Sequence, residues 1–340
     1  MRRRARRSTA CCYKDVSNPP LAMKLPIVLK LLVLLFLVVG LGDLRADPRI
    51  ESPGWYSARI GRITVTALFD GTIPMPVDKE FVAPAPAKLK ALLARDGLGT
   101  TVPMPVNAFL IDTGQRIVLV DAGTGALKMF GEGLGRVPTN LRAAGYTPEQ
   151  IDEIYLTHMH GDHVGGLTID GRAVYPNATV RADAREAGHY LSRAKQAAAG
   201  AEKADFESAV AMLDPYVRSG RFKPFDGSTE LVAGVKALPA HGHTPGHTVY
   251  VVESDGEKLV LWGDLVHIGA IELPLPSAAM AYEADPAQAR ASRLGALREA
   301  ARERTWIAAA HLGFPGIGRI RADARGGGYS WLPMALVRGR

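Results

Sequence analysis

Residues 156–167 read LTHMHGDHVGGL. Three histidines and one aspartate, His158, His160, Asp162 and His163, fall within this short stretch. Imidazoles are poor core fillers, and burying several together without partners carries a heavy desolvation cost. A metal ion supplies the missing reason. Imidazole and carboxylate are the ligands of a borderline divalent cation such as zinc. The segment IDEIYLTH (151–158) reads as a strand, so His158 and His160, two apart at its end, share one side by alternation. Gly161 allows a sharp turn that returns Asp162 and His163 toward the same space.

Further groups of this kind lie downstream. HGHTPGHT (241–248) carries His241, His243 and His247 just before a strand-like run. Asp264 closes KLVLWGD (258–264), and His267 follows it. His311 comes after the apolar run WIAAA (306–310). His189 sits in a helical pattern and reads as a partly exposed side chain.

Composition bounds the rest. The chain has 340 residues, 47% hydrophobic and 22% charged, which suits one large or two small globular domains. Its net charge of +7 belongs wholly to residues 1–46, which hold nine Lys/Arg and two Asp. The remaining chain holds 32 basic and 32 acidic residues. A neutral body offers no electrostatic footprint to a phosphate backbone, so no nucleic-acid partner is expected.

Residues 1–46 read as a basic leader and signal peptide, with Met23 as an alternative start. The apolar run Leu31–Leu41 is short against the roughly 20 residues that span a bilayer. The expectation is therefore a cleaved leader and a periplasmic or secreted body, with an N-terminal membrane anchor as the alternative. Membrane contact is expected only through the leader. Both cysteines, Cys11 and Cys12, lie there, which leaves the body no thiol nucleophile or disulfide.

Residues 47–340 read as a single domain. Short β-branched runs bounded by Gly, Asp or Pro mark strands at 62–70, 107–112, 116–123, 151–158, 178–183, 234–240, 248–254 and 258–264. Helical patterns occupy 86–97, 185–197, 201–217 and 285–303, the last with Asp285 as N-cap and Pro286 at its first position. The stretch 185–217 reads as a helical insertion able to cover a cleft. An α/β domain of mixed sheets with helices outside them is expected.

Four motifs occur in order: H-x-H-x-D-H, G-H-T-x-G-H, G-D after a strand, and a late His at a strand end. In these the chain resembles the metallo-β-lactamase superfamily from about residue 60 to about residue 320. The resemblance implies a four-layer αββα sandwich, two mixed β-sheets with outer helices, and a site along one sheet edge. It puts His158, His160 and His243 on one divalent metal ion, and Asp162, His163 and His311 on a second. Asp264 would bridge them, and zinc is the expected metal. His247 and His241 become candidates for orienting the ligands. The two aspartates would act as metal ligands, and the nucleophile would be a hydroxide held between the ions.

Within the superfamily the motifs are most similar to methyl parathion hydrolase-like enzymes. That resemblance implies cleavage of an ester, lactone or phosphotriester. Acyl-homoserine lactonases are the alternative, with a β-lactamase or a nucleic-acid processing enzyme behind them. The lactonases carry a Tyr three residues past the bridging Asp, where this chain has His267. Tyr190 and Phe206 are candidates for an aromatic wall around the substrate, with a plain core role as the other reading. The partner is expected to be a small molecule, and a homodimer is left open.

Overall fold

The computed structural model describes residues 53–200, 202–324 and 326–335. The leader expected over 1–46 lies outside the described residues. Among the described residues, the first large sheet takes Trp55–Ile60, Ile63–Pro76, Thr101–Asp112, Ile117–Val120, Glu153–Tyr155 and Thr179–Arg181, side by side in chain order. Its first four strands are antiparallel and its last two join in parallel. The second sheet takes Thr229–Val232, Val235–Pro239, Thr248–Ser254, Glu257–Leu261, Trp306–Ala308, Ile317–Ala322 and Tyr329–Pro333, again in chain order. It contains one parallel pairing, between Glu257–Leu261 and Trp306–Ala308.

Alternation along these strands sorts the side chains between two apolar layers. From the first sheet, Val65, Ala67, Phe109, Ile111, Val118 and Val120 face inward. They meet Val235, Ala237, Tyr250, Val252, Leu259 and Leu261 of the second. Tyr155 and Tyr250 stack across this interface with ring centroids 5.4 Å apart, and the Tyr250 hydroxyl donates to the Leu156 carbonyl at 2.6 Å. Each such buried side chain contributes about 1.5–3 kcal/mol. The interface therefore fixes how the sheets sit on one another, and with it the register of residues at their shared edge. The opposite face of the first sheet is covered by Leu141, from Val137–Ala143, and by Leu213 and Tyr216, from Lys203–Arg218. Leu297 and Ala300 of Pro286–Glu303 cover the second sheet over Trp262, Ile307 and Ile320. The order of layers is helix, sheet, sheet, helix.

The sequence places the helix starts well. Asp285 accepts from the backbone N–H groups of Ala287 and Gln288 at 3.1 and 3.0 Å. The expected insertion forms Ala184–Tyr190, Arg193–Ala198 and Lys203–Arg218, and Asp183 caps the first of these through Arg185 N–H at 2.7 Å.

Two strands run further than their sequence suggests. Ile63–Pro76 continues past Asp70 through GTIPMP, and Thr101–Asp112 begins well before Asn107. Prolines in these stretches read as breakers, yet Pro74 pairs with Pro103. In this extension each strand has the other as its only sheet neighbour among the described residues, because the flanking pairings end at Leu68 and Phe109. A proline whose missing N–H faces a free edge costs no ladder bond. The ribbon carries its own apolar cluster, in which Val77, Leu89, Leu93 and Met104 pack with Ile268, Ile271 and Met280. It thereby stands beside the segment that follows Asp264.

Candidate functional site

The strand Glu153–Tyr155 ends before His158, so alternation is not what aligns His158 with His160. A buried carboxylate anchors the turn instead. Asp121 follows Ile117–Val120 with a φ of 60°, a conformation uncommon outside glycine. It accepts the Thr157 backbone N–H and the Thr157 hydroxyl, each at 2.8 Å. It also meets His163 Nδ1 at 2.9 Å. One group thus holds both ends of the histidine loop. Gly166 is required by close approach: a Cβ there would lie 2.0 Å from the Ala122 carbonyl oxygen.

The remaining groups come from the second sheet. His243 lies in the turn between Val235–Pro239 and Thr248–Ser254, Asp264 in the turn Gly263–Leu265, and His311 after Trp306–Ala308. His247 joins two of these turns. Its Nδ1–H donates to the Ala240 carbonyl and its Nε2 accepts from the Asp264 N–H, both at 3.0 Å. The Asn107 amide, on the first sheet, donates to the Ala310 and Leu312 carbonyls at 3.0 and 2.9 Å, on either side of His311. His311 Nδ1 donates to the Pro105 carbonyl at 2.8 Å.

Two clusters result. The ligand atoms of His158, His160, His243 and Asp264 lie within 4.8 Å of one another, as do those of Asp162, His163 and His311. Asp264 faces both. Its Oδ2 is 3.6 Å from His158 Nε2 and 3.4 Å from His243 Nε2. Its Oδ1 is 3.2 Å from His163 Nε2 and 3.1 Å from His311 Nε2, which also reaches Oδ2 at 3.2 Å. Asp162 Oδ2 closes the second cluster at 3.7 Å from His163 and 3.5 Å from His311.

The protons show what the clusters fit. Burial holds His158 and His243 well below the ordinary histidine range, so both rings are neutral. His243 Nε2 nonetheless faces His158 Nε2 at 3.3 Å and His160 Nδ1 at 3.1 Å. The bonds to Asp121 and Pro105 place a proton on Nδ1 of His163 and of His311, which turns the Nε2 of each toward the carboxylates. His163 Nε2 and Asp264 Oδ1 are buried without hydrogen-bond partners. Burial opposes a charge on His163, yet Asp264, Asp162 and Asp121 outweigh it and draw positive charge there. Nitrogen lone pairs converging on one another and on carboxylates fit two divalent cations.

His247 also gives the site a pH signature. Burial lowers its pKa from 6.5 to about 4. The unfolded chain takes up this proton near pH 6.5, while the folded chain resists until about 4. The stability His247 contributes is therefore complete above pH 6.5 and is lost as the pH falls toward 4, on the order of 3 kcal/mol across the window. In His247→Gln an amide oxygen can accept from Asp264 without titrating. The difference in unfolding free energy between wild type and this variant is expected to shrink by that order from pH 6.5 to 4. A difference independent of pH contradicts the assignment.

The other candidates divide. His267 Nε2 lies 3.2 Å from Asp264 Oδ2, and its backbone N–H donates to Glu272, which pairs with buried Arg293 at 3.1 Å. His241 is set apart from the ligands and meets the Arg185 guanidinium at 3.0 Å. Tyr190 and Phe206 are each 2% exposed and pack together in the core. Of the two readings, this burial is the one a plain core role expects. Tyr190 backs His160 edge-on, with ring centroids 6.0 Å apart. An aromatic edge over the site comes instead from Tyr282, whose ring stands 5.9 Å from His243 and 5.5 Å from His267.

A sequence model described as the metallo-beta-lactamase superfamily matches residues 101–311, which hold every group of the two clusters. This chain belongs to that superfamily. Among solved structures, the hydrolase AbOPH of the beta lactamase superfamily is 35% identical over 84% of this chain and 99% of its own, with a TM-score of 0.79. AidC, described as a dizinc quorum-quenching lactonase in complex with a product, is 26% identical over 84% of this chain and 99% of its own, with a TM-score of 0.74. The N-acyl homoserine lactonase of Bacillus cereus is 25% identical over 210 residues, 55% of this chain and 75% of that enzyme. A Bacillus sp. N-acyl homoserine lactonase is 27% identical, and the alignment spans 64% of its length. This chain is likewise a metal-dependent hydrolase with a dinuclear site.

Sequence reasoning missed the groups behind the ligands. Asp121 had one local signal, an acid at the end of the apolar run RIVLVDAG (116–123). Asn107 and Tyr282 had none, since each meets residues distant in the chain.

Proposed function

We propose that this metallo-beta-lactamase family member hydrolyses lactones and related esters at two zinc ions, with N-acyl homoserine lactones as its leading substrate class. The observation that carries the reading is Asp264, with one carboxylate oxygen toward each histidine cluster. His158, His160 and His243 would hold one ion, Asp162, His163 and His311 the other, and Asp264 both. When bound, such a pair supplies hydroxide near neutral pH and polarises the electrophilic oxygen. The chain's own groups orient and enclose. His267, itself 1% exposed, turns Nε2 to Asp264 Oδ2 at 3.2 Å, where it would steady the carboxylate that faces both clusters. Tyr282 shields the first cluster edge-on. The lactonase relatives support the lactone class. Export through the leader belongs to the same proposal.

A phosphotriester is the second reading, favoured by His267 standing where the lactonases carry Tyr. Purified protein assayed on an N-acyl homoserine lactone, an aryl ester, an aryl phosphotriester and a β-lactam, with His158→Ala as control, separates these. The lactone is expected to turn over fastest. Preference for the phosphotriester replaces the first reading with the second, and rates equal to the control on every substrate contradict both.

A further inference from the structure

We propose that Glu186 is a positioning residue that holds the histidine loop and the His243 turn at ligating distance from one another. The proposal rests on the metal-site reading above and adds to it a residue outside the ligand set. Glu186 lies in the first turn of Ala184–Tyr190, the opening helix of the insertion, and is completely buried. Its Oε1 accepts the backbone N–H of Met159, the residue between His158 and His160, at 2.8 Å. Its Oε2 accepts the backbone N–H of Gly246, in the turn that carries His243 and His247, also at 2.8 Å. The two loops leave different sheets, and one carboxylate spans them.

Helix and turn are in backbone contact as well. A Cβ on Gly246 would lie 2.4 Å from the Glu186 nitrogen and 2.6 Å from the Glu186 Cβ. This explains the second glycine of the G-H-T-x-G-H motif by close approach. Burial of a carboxylate is unfavourable, and here it pushes the Glu186 pKa up to about 7. An apolar side chain would fill the same space without that cost but would leave two buried N–H donors unmet. A glutamine would meet only one of them, since its NH2 must face the other donor. Both acceptors are needed, and they act on the backbone beside three of the four ligands of the first cluster.

The test uses the full chain, with zinc alone as the probe. Zinc affinity is measured by competition with a chromophoric chelator for wild type, Glu186→Gln and Gly246→Ala. Cobalt(II) absorption spectra report ligand geometry in each. Groups that orient metal ligands are worth about 10–100-fold in metal affinity. Glu186→Gln is expected to lose that much, with an altered cobalt spectrum. Gly246→Ala, which displaces the same contact from the other side, is expected to behave alike. A variant that binds zinc as tightly as wild type with an unchanged cobalt spectrum overturns the proposal, whatever its thermal stability. Failure of the wild type itself to bind zinc overturns the metal reading and this proposal together, so the two failures are distinguishable.

Discussion

Asp264→Ala is expected to lower kcat/KM by at least about a thousand-fold, because several kcal/mol of transition-state stabilisation depend on the paired ions it would hold. Asp264 is the group that faces both clusters, with Oδ2 toward His158 and His243, Oδ1 toward His163, and both oxygens within reach of His311. Without it, the first cluster keeps three imidazoles and no carboxylate, and two cations would face one another without the anion between them. The substitution also removes the carboxylate that His267 contacts. Metal content and kcat/KM should therefore fall together. A variant that keeps two metals and a rate within tenfold of wild type would show that the bridge is not needed.

The second large effect is expected at Asp121, which lies outside the two clusters. Asp121→Asn keeps the size of the side chain but replaces one acceptor oxygen with an NH2 group. Either the Thr157 backbone N–H, at Oδ1, or the Thr157 hydroxyl together with His163 Nδ1–H, at Oδ2, then loses its acceptor. If the amide NH2 faces His163 Nδ1, that nitrogen must accept, and the ring proton moves to Nε2, where a ligand lone pair is required. A loss of about 10–100-fold in metal affinity follows, accompanied by about 1–3 kcal/mol of stability for the unmet buried donor. Chelator competition and denaturant unfolding on the same preparations check the two parts. Unchanged metal affinity with reduced stability would make Asp121 a structural residue only.

The seven groups of the two clusters were legible in the sequence because their chemistry is unusual. A loop holding three imidazoles and a carboxylate has no packing explanation, and the later His and Asp motifs repeat the same ligand types. The structure brings His158, His160, His243 and Asp264 together, and likewise Asp162, His163 and His311. The residues that aim them were not legible. Asp121, Asn107 and Glu186 are common types, one apiece, whose meaning lies in a backbone group or ring far along the chain. The fold divided in the same way. β-branched runs and the Asp285–Pro286 cap marked central strands and the late helix correctly, because local preference and tertiary context agree there. The ribbon past Asp70 was hidden because proline is tolerated on a free strand edge, which local sequence does not reveal. Tyr190 and Phe206 illustrate a third limit, since helix-face aromatics beside a site look the same whether they line it or support it from behind.

The central claim is tested most directly by elemental analysis of the purified chain alongside its activity. About two divalent ions per chain are predicted, with hydrolysis lost on chelation and restored by zinc. A metal-free chain that retains full hydrolytic activity would contradict the account.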